Sequence, residues 1–162
     1  MISPYLWAAL VALVALSAFF SATEMAYSSA NRMRLEAAAE NGVRAAAVAC
    51  RIYDSYEKML STILISNELV NIAASSVVAV IALQLFAGAD ENLAATLGTV
   101  LITVVIIIFG ETIPKIVAKK NANAMSIRHA YVLRVLMVIF WPLVWLVVKL
   151  IHLLTKNLKG EE

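Results

Sequence analysis

Glu111 is the acidic residue whose surroundings point most directly to chemistry. It follows an uncharged, apolar run from Asn92 to Gly110, which predicts a membrane-spanning helix. A charged side chain near the hydrocarbon centre costs about 2.5 to 3.5 kcal/mol, so such a group normally faces a cavity, a partner or a cation. Pro114, three residues further on, predicts that the helix breaks and frees backbone carbonyls for an ion. The alternative is a helix that simply ends at the headgroups.

Other polar side chains cluster near one end of each apolar segment: Ser21, Thr23, Glu24, Ser66, Asn67, Glu68, Asn71, Glu111 and Thr112. Asn67 and Asn71 are four residues apart and therefore share one helix face. If three such faces converge, the Ser21 hydroxyl, the two amide oxygens and the Glu111 carboxylate line one pocket. Hard oxygen ligands without thiol or imidazole favour Mg²⁺ or Ca²⁺ over zinc or copper. Alternatively, each Ser or Asn only joins helices through hydrogen bonds worth about 0.6 kcal/mol.

Composition narrows the class of protein. The chain has 162 residues, of which 62% are hydrophobic and 15% charged, as expected of a polytopic membrane domain. The net charge of +2 and the lack of a basic tract give no indication of nucleic-acid binding. The single Cys50 excludes an internal disulfide and is predicted to pack rather than react. No nucleophile with a base, phosphate loop or zinc motif is present, so we expect no enzyme.

Three segments are long and apolar enough to cross a ~30 Å hydrocarbon layer as helices: residues 4–27, 59–87 and 93–113. Between the first two, residues 28–58 are rich in Ala and Glu and are interrupted at Asn41 and Gly42. That pattern predicts two short helices joined by a turn.

A fourth apolar segment is shorter than the other three. It lies between Arg134 and Lys149 and is interrupted by Pro142. At about 100° per residue its Trp and basic side chains form one stripe, which suits a helix lying along the headgroups. The predicted fold is therefore an all-α membrane protein with three transmembrane helices, a cytoplasmic helical hairpin and a juxtamembrane belt helix at about 131–155.

Loop charges predict the orientation. Residues 28–58 carry five basic side chains, whereas the connection 88–92 carries Asp90 and Glu91 and no base. The first loop is therefore expected in the cytoplasm and the second outside, with the N-terminus outside and the C-terminus cytoplasmic. No Lys or Arg precedes Arg32, so the first segment is expected to be retained rather than cleaved as a signal peptide. Three spans do not readily enclose a hydrated path, and we expect a homodimer.

Three strings in fixed order resemble a known family: FSATEMA at 20–26, ISNELVN at 65–71 and FGETIPK at 109–115. They are similar to the transmembrane domain of the CNNM/CorC magnesium transporters, and the resemblance covers essentially the whole chain. It implies a homodimeric, multi-pass plasma-membrane domain that transports Mg²⁺, in the export direction, with Na⁺ as the coupling ion. Family members usually continue into cytoplasmic CBS modules, which are absent from residues 1–162 and are expected in the full-length protein.

Position by position, the resemblance places the family's cation site on the residues already reached: Ser21, Asn67, Asn71 and Glu111. Second choices as ligands or for gating are Ser66, the backbone at Ala22 and Gly110, the charges Glu24 and Glu68, and Pro114, which together with Gly110 shapes the helix end. Glu24 and Glu68 are equally suited to pairing with Lys or Arg. Two functions remain compatible with this sequence: a cation carrier, or a membrane-embedded Mg²⁺ sensor or anchor for cytoplasmic domains.

Overall fold

The computed structural model describes residues 4–85 and 91–156, and these residues form helices and no strand. The elements are α1 (Pro4–Ser29), α2 (Arg32–Glu40), α3 (Arg44–Tyr53), α4 (Tyr56–Leu85), α5 (Glu91–Val105), a π-helical segment (Ile106–Thr112), α6 (Ile113–Lys120), α7 (Ala122–Ile139) and α8 (Trp141–Lys156). Residues 86–90, which include most of the predicted external connection, lie outside the described residues.

Three helical stretches are long and apolar enough to cross a membrane: Pro4–Ser29, Tyr56–Leu85 and Thr96–Lys120. The predicted all-α fold with three membrane helices is thus confirmed. The third stretch differs from its prediction, because it does not break at Pro114 but continues to Lys120. Pro114 lies in the first turn of α6, where the missing N–H is best tolerated. The turn before it is widened into a π-helix, in which the Ile113 N–H donates to the carbonyl of Ile108.

The predicted belt helix at 131–155 is two helices, α7 and α8, which meet at Phe140 and are bent by 74°. Pro142 is the second residue of α8. Because proline cannot donate to the carbonyl four residues earlier and its ring crowds that carbonyl, a continuous helix is disfavoured here. Together the two helices are also apolar enough to form one broken span.

Residues 28–58 form the predicted helical hairpin, α2 and α3. Asn31 caps α2 by accepting a hydrogen bond from the Arg34 N–H at 3.2 Å, and Gly42 turns the chain with a φ of +88°, a conformation that favours glycine. Cys50 is free and half-buried in α3, and burial raises the pKa of its thiol. It therefore packs as a small apolar residue.

A buried cluster ties the hairpin to the membrane helices. Its fully buried members come from five helices: Tyr27, Leu35, Ala49, Met59, Ile63, Ala130 and Leu133. The Tyr27 hydroxyl donates to the carbonyl of Ser126 at 3.1 Å, which joins α1 to α7. This contact holds the C-terminal end of α1, which the loop charges predict to face the cytoplasm, against α7, the helix that follows the third span.

Tyr27→Phe removes this buried hydrogen bond and keeps the ring. We expect the free energy of unfolding to fall by about 1 kcal/mol, which lowers the melting temperature in detergent by about 2 to 4 °C. Tyr131→Phe on α7 is the matched control, because Tyr131 is 51% exposed and loses the same hydroxyl. Equal losses in the two variants would contradict the assigned role of Tyr27.

Candidate cation site

Two asparagine side chains of α4 and one serine of α1 meet between the first two spans. The Ser17 hydroxyl lies 3.1 Å from Asn67 Oδ1 and 3.3 Å from Asn71 Oδ1, and Ser17 is completely buried. One hydroxyl has a single proton, so it cannot donate fully to both amide oxygens at once. Two amide oxygens and one hydroxyl oxygen therefore converge on one small region.

The π-helical segment brings the third span to the same serine. A Cβ atom built on Gly110 would lie 3.1 Å from Ser17 Oγ, so this position accepts a side chain only if Ser17 moves. In an α-helical ladder the Gly110 carbonyl would accept from residue 114, but Pro114 has no N–H to donate. π-Bulges occur frequently at functional sites, and here one places a glycine backbone beside the two asparagines.

Two further serines near this contact have unmet hydrogen-bonding capacity. Ser21 is 1% exposed and Ser66 is 3% exposed, and within the described part of the chain neither hydroxyl has a hydrogen-bond partner. Ser21 lies one helical turn beyond Ser17 on α1, and Ser66 directly precedes Asn67. A buried polar group without a partner costs about 1 to 3 kcal/mol, so these hydroxyls are suited to accept a ligand.

The three candidate carboxylates differ in their surroundings. Glu24 pairs with Lys115 across α1 and α6, with Oε2 and Nζ 3.2 Å apart, which matches the pairing alternative given for it above. Glu68 is exposed on α4. Glu111 follows Gly110 in the π-helical segment, is partly buried, and forms no ion pair within residues 4–85 and 91–156. Glu111 is therefore the candidate carboxylate that follows Gly110 in the chain and has no ion pair within the described residues.

The structure thus brings Asn67, Asn71 and Gly110 together around Ser17. Ser21 lies one turn from Ser17 on α1, and Glu111 follows Gly110 in the chain; neither has a described side-chain contact with the two asparagines. Ala22 has a different place: it packs with Ala26 of α1 and Ala118 of α6. Ala22 and Ala26 therefore pack against α6 within the chain. Pro114 is half-buried at the start of α6.

Ser17 is the site residue that the sequence analysis missed. A single serine in an apolar run is common between membrane helices and gave no separate signal. Its spacing could have identified it, because Ser17 and Ser21 are one turn apart on the same face of α1. That face is the one which contacts the asparagines.

His129 of α7 contacts α1 beside this region. Its Nδ1 lies 2.8 Å from Thr23 Oγ1, and its ring lies 4.6 Å from that of Phe19. The Thr23 hydroxyl donates its proton to the Phe19 carbonyl, so it accepts from Nδ1–H. Burial, with a smaller contribution from Arg128, lowers the pKa of His129, which favours the neutral imidazole beside Thr23 and Phe19.

Across residues 4–85 and 91–156, no group of three or more His, Cys, Asp or Glu side chains is placed to hold a metal ion. A cation in this region must therefore be bound mainly by hydroxyl, amide and carbonyl oxygens. Such neutral oxygens with one carboxylate suit Mg²⁺ or Ca²⁺.

Fold and site together define a multi-pass membrane domain with an oxygen-lined region between its spans. Residues 8–162 match the family described as the Cyclin M transmembrane N-terminal domain, CNNM. The chain belongs to this family of transmembrane domains, and the resemblance seen in the sequence is confirmed.

Two relatives were also found. A UPF0053 protein of Haemophilus influenzae is 38% identical over 149 residues, covering 92% of this chain and 34% of the relative. The UPF0053 inner membrane protein YfjD of Escherichia coli is 31% identical over 131 residues, covering 81% of this chain and 30% of the relative. The chain thus spans about a third of the length of these relatives.

Gly110→Ala tests the contact between the third span and Ser17. The added Cβ pushes on Ser17 Oγ and should displace the hydroxyl that joins both asparagines. We expect Mg²⁺ affinity, measured by calorimetry, to fall roughly tenfold, or about 1.4 kcal/mol.

Gly98→Ala is the control for this variant. Its Cβ would lie 2.8 Å from that of Ala82, so it disturbs the packing of α5 on α4 away from Ser17. We expect it to lower stability and to keep Mg²⁺ affinity. Equal affinity losses in both variants would contradict a specific role for the Gly110 contact.

Proposed function

We propose that this domain transports Mg²⁺ across the membrane, in the export direction and coupled to Na⁺. The observation that supports this most is the convergence of the Asn67 and Asn71 amide oxygens on Ser17, beside a π-helical segment that carries Glu111. Two further buried hydroxyls have no partner in the described part of the chain: Ser21, one turn from Ser17, and Ser66, which precedes Asn67. Family membership agrees with the proposal.

The ligand chemistry fits a transported ion better than a permanently bound one. Mg²⁺ prefers six oxygen ligands in near-octahedral geometry and usually keeps several water molecules. Glu111 compensates one of its two charges, the asparagines supply amide oxygens, and Ser21 closes the site with Ser17 as an added ligand or support. A site with one carboxylate and neutral oxygens holds the ion weakly enough to release it.

Release requires that part of the ligand set moves, and the π-helical segment is suited to do so. The π-helical turn contains one extra residue compared with the α-helical turns that flank it. If the extra residue shifts along the helix, Gly110 and Glu111 rotate relative to Ser17. The proposed carrier cycle uses this change to open the site toward one side of the membrane.

Orientation and assembly complete the proposal. We place the basic side chains of α2, α3 and the first turn of α4 in the cytoplasm. The N-terminus is then outside and the C-terminus inside, and the cation site lies in the cytoplasmic half of the bilayer. Helices α7 and α8 lie along that interface. Two copies form the functional dimer, and CBS modules are expected to follow in the longer protein.

Glu111→Gln is the variant that removes the proposed charge with little change in shape. We expect it to abolish Mg²⁺ binding without loss of folding, because a doubly charged ion would then face neutral oxygens only. Asn71→Ala should weaken binding, since the carboxylate remains. Calorimetry and Mg²⁺ protection from proteolysis on purified protein measure the ranking.

Glu68→Gln is the matched control, since it makes the same change at an exposed position of α4. It should affect binding less than either other variant. Normal binding by Glu111→Gln together with loss in Glu68→Gln or Glu24→Gln would place the ion on other helix faces and overturn the assignment.

Transport is tested in liposomes that contain the 162-residue chain and a Mg²⁺-sensitive dye. We expect Mg²⁺ flux that increases with an opposing Na⁺ gradient and that is absent with Glu111→Gln. Mg²⁺ binding without any flux would contradict the carrier and favour the alternative, a membrane-embedded Mg²⁺ sensor or anchor for cytoplasmic domains.

A further inference from the structure

A cavity of about 470 Å³ lies between α3, α4, α7 and α8, apart from the proposed cation site. None of the residues that line it belongs to the proposed cation site. Its volume is in the usual range for small-molecule sites, about 300 to 1,000 Å³. The cavity adjoins the bend between α7 and α8 and the first turn of α4, where the chain enters the second span.

Three basic side chains from three helices line this cavity: Arg51 of α3, Lys58 of α4 and Arg134 of α7. All three residues are exposed, and no Asp or Glu is among the lining residues. Arg32 of the same hairpin, in contrast, pairs with both Glu36 and Asp54. Among the described residues that line the cavity, three are basic and none is acidic, so its lining carries a net positive charge.

The remaining lining residues are almost all apolar. Ile52 and Val144 line it and are 4% exposed, whereas Trp141, like the three bases, is exposed at 60%. Exposed positive charges beside a buried apolar wall match a ligand with an anionic head and a hydrocarbon tail. Neither a soluble anion nor a plain hydrocarbon would use both parts.

The position of the cavity indicates where that ligand comes from. Trp residues are enriched at membrane interfaces, and Lys58 marks the start of the second span. Each Lys or Arg near a membrane surface attracts anionic lipid by about 1 kcal/mol, and basic pockets between helices bind anionic headgroups. The charge, the apolar wall and the interfacial position therefore point to the same kind of molecule.

We propose that this cavity binds an anionic phospholipid. Its phosphate pairs with Arg51, Lys58 and Arg134, and its acyl chains lie on Trp141 and the apolar wall. The bound lipid links the α2–α3 hairpin to α4, the helix that carries both asparagines. This proposal does not depend on Mg²⁺ transport, because it concerns different residues and a different ligand.

Lipid binding is tested by native mass spectrometry of the 162-residue chain in neutral detergent, titrated with phosphatidylglycerol or phosphatidylcholine. We expect the parent protein to prefer phosphatidylglycerol. The double variant Arg51→Gln/Arg134→Gln should bind it about 30-fold more weakly, which corresponds to about 2 kcal/mol. Arg34→Gln/Arg44→Gln is the control with the same change in net charge on exposed bases that do not line the cavity, and it should bind like the parent.

Val138→Trp provides a second test that leaves the charges in place. Val138 lines the cavity and is 70% exposed, so a larger side chain can obstruct the cavity without entering the buried core. It should also weaken phosphatidylglycerol binding. If the double Arg variant does not fold, phosphatidylglycerol binding by Val138→Trp tests the proposal instead.

Four results would overturn the proposal. The first two are equal affinity for both lipids and equal loss of affinity in the cavity and control variants. The third is displacement of the lipid by millimolar inorganic phosphate, and the fourth is a parent protein that binds no lipid while the cavity variants become monomeric. The third result would assign the cavity to a free anion. The fourth would assign it to a second copy of the chain.

Discussion

Polar groups buried between membrane helices must find partners inside the protein, because hydrocarbon offers none. This constraint organises the region between α1, α4 and the π-helical segment. Ser17 partly satisfies it through Asn67 and Asn71, while the hydroxyls of Ser21 and Ser66 remain buried without a partner in the described chain. In the proposed function, a cation is the partner that completes this set of oxygens.

Local spacing predicted much of this arrangement. The four-residue separation of Asn67 and Asn71 placed both amides on one face, and the apolar segments predicted three spans and a hairpin that turns at Gly42. Ser17 and the π-helical segment could not be predicted in this way. A lone serine has many packing roles, and Pro114 by itself predicts a break. The helix instead continues through a π-helical segment, and the close approach of Gly110 to Ser17 is a tertiary contact that no local pattern encodes.

For the acidic residues too, the sequence gives their positions and only the fold gives their surroundings. Sequence left Glu24, Glu68 and Glu111 as three acidic residues near one depth, and only the fold separates them. Glu24 is neutralised by Lys115, Glu68 is exposed, and Glu111 follows Gly110 in the π-helical segment without an ion pair in the described residues. Neutral His129 adds no opposing positive charge to α1. Glu111 is thus the candidate carboxylate left without an ion pair in the described residues, and the proposed Mg²⁺ site assigns it the charge compensation.

The most direct test of this account is to locate the ion itself. Crystals of the protein grown with Mn²⁺ in place of Mg²⁺ would show the metal by its anomalous scattering, since Mn²⁺ accepts the same oxygen ligands. The account predicts one peak between α1, α4 and the π-helical segment, with Asn67 and Asn71 oxygens at about 2.1 Å and Glu111 as a direct or water-bridged ligand. A peak at Glu24 or Glu68, with none beside the asparagines, would contradict it.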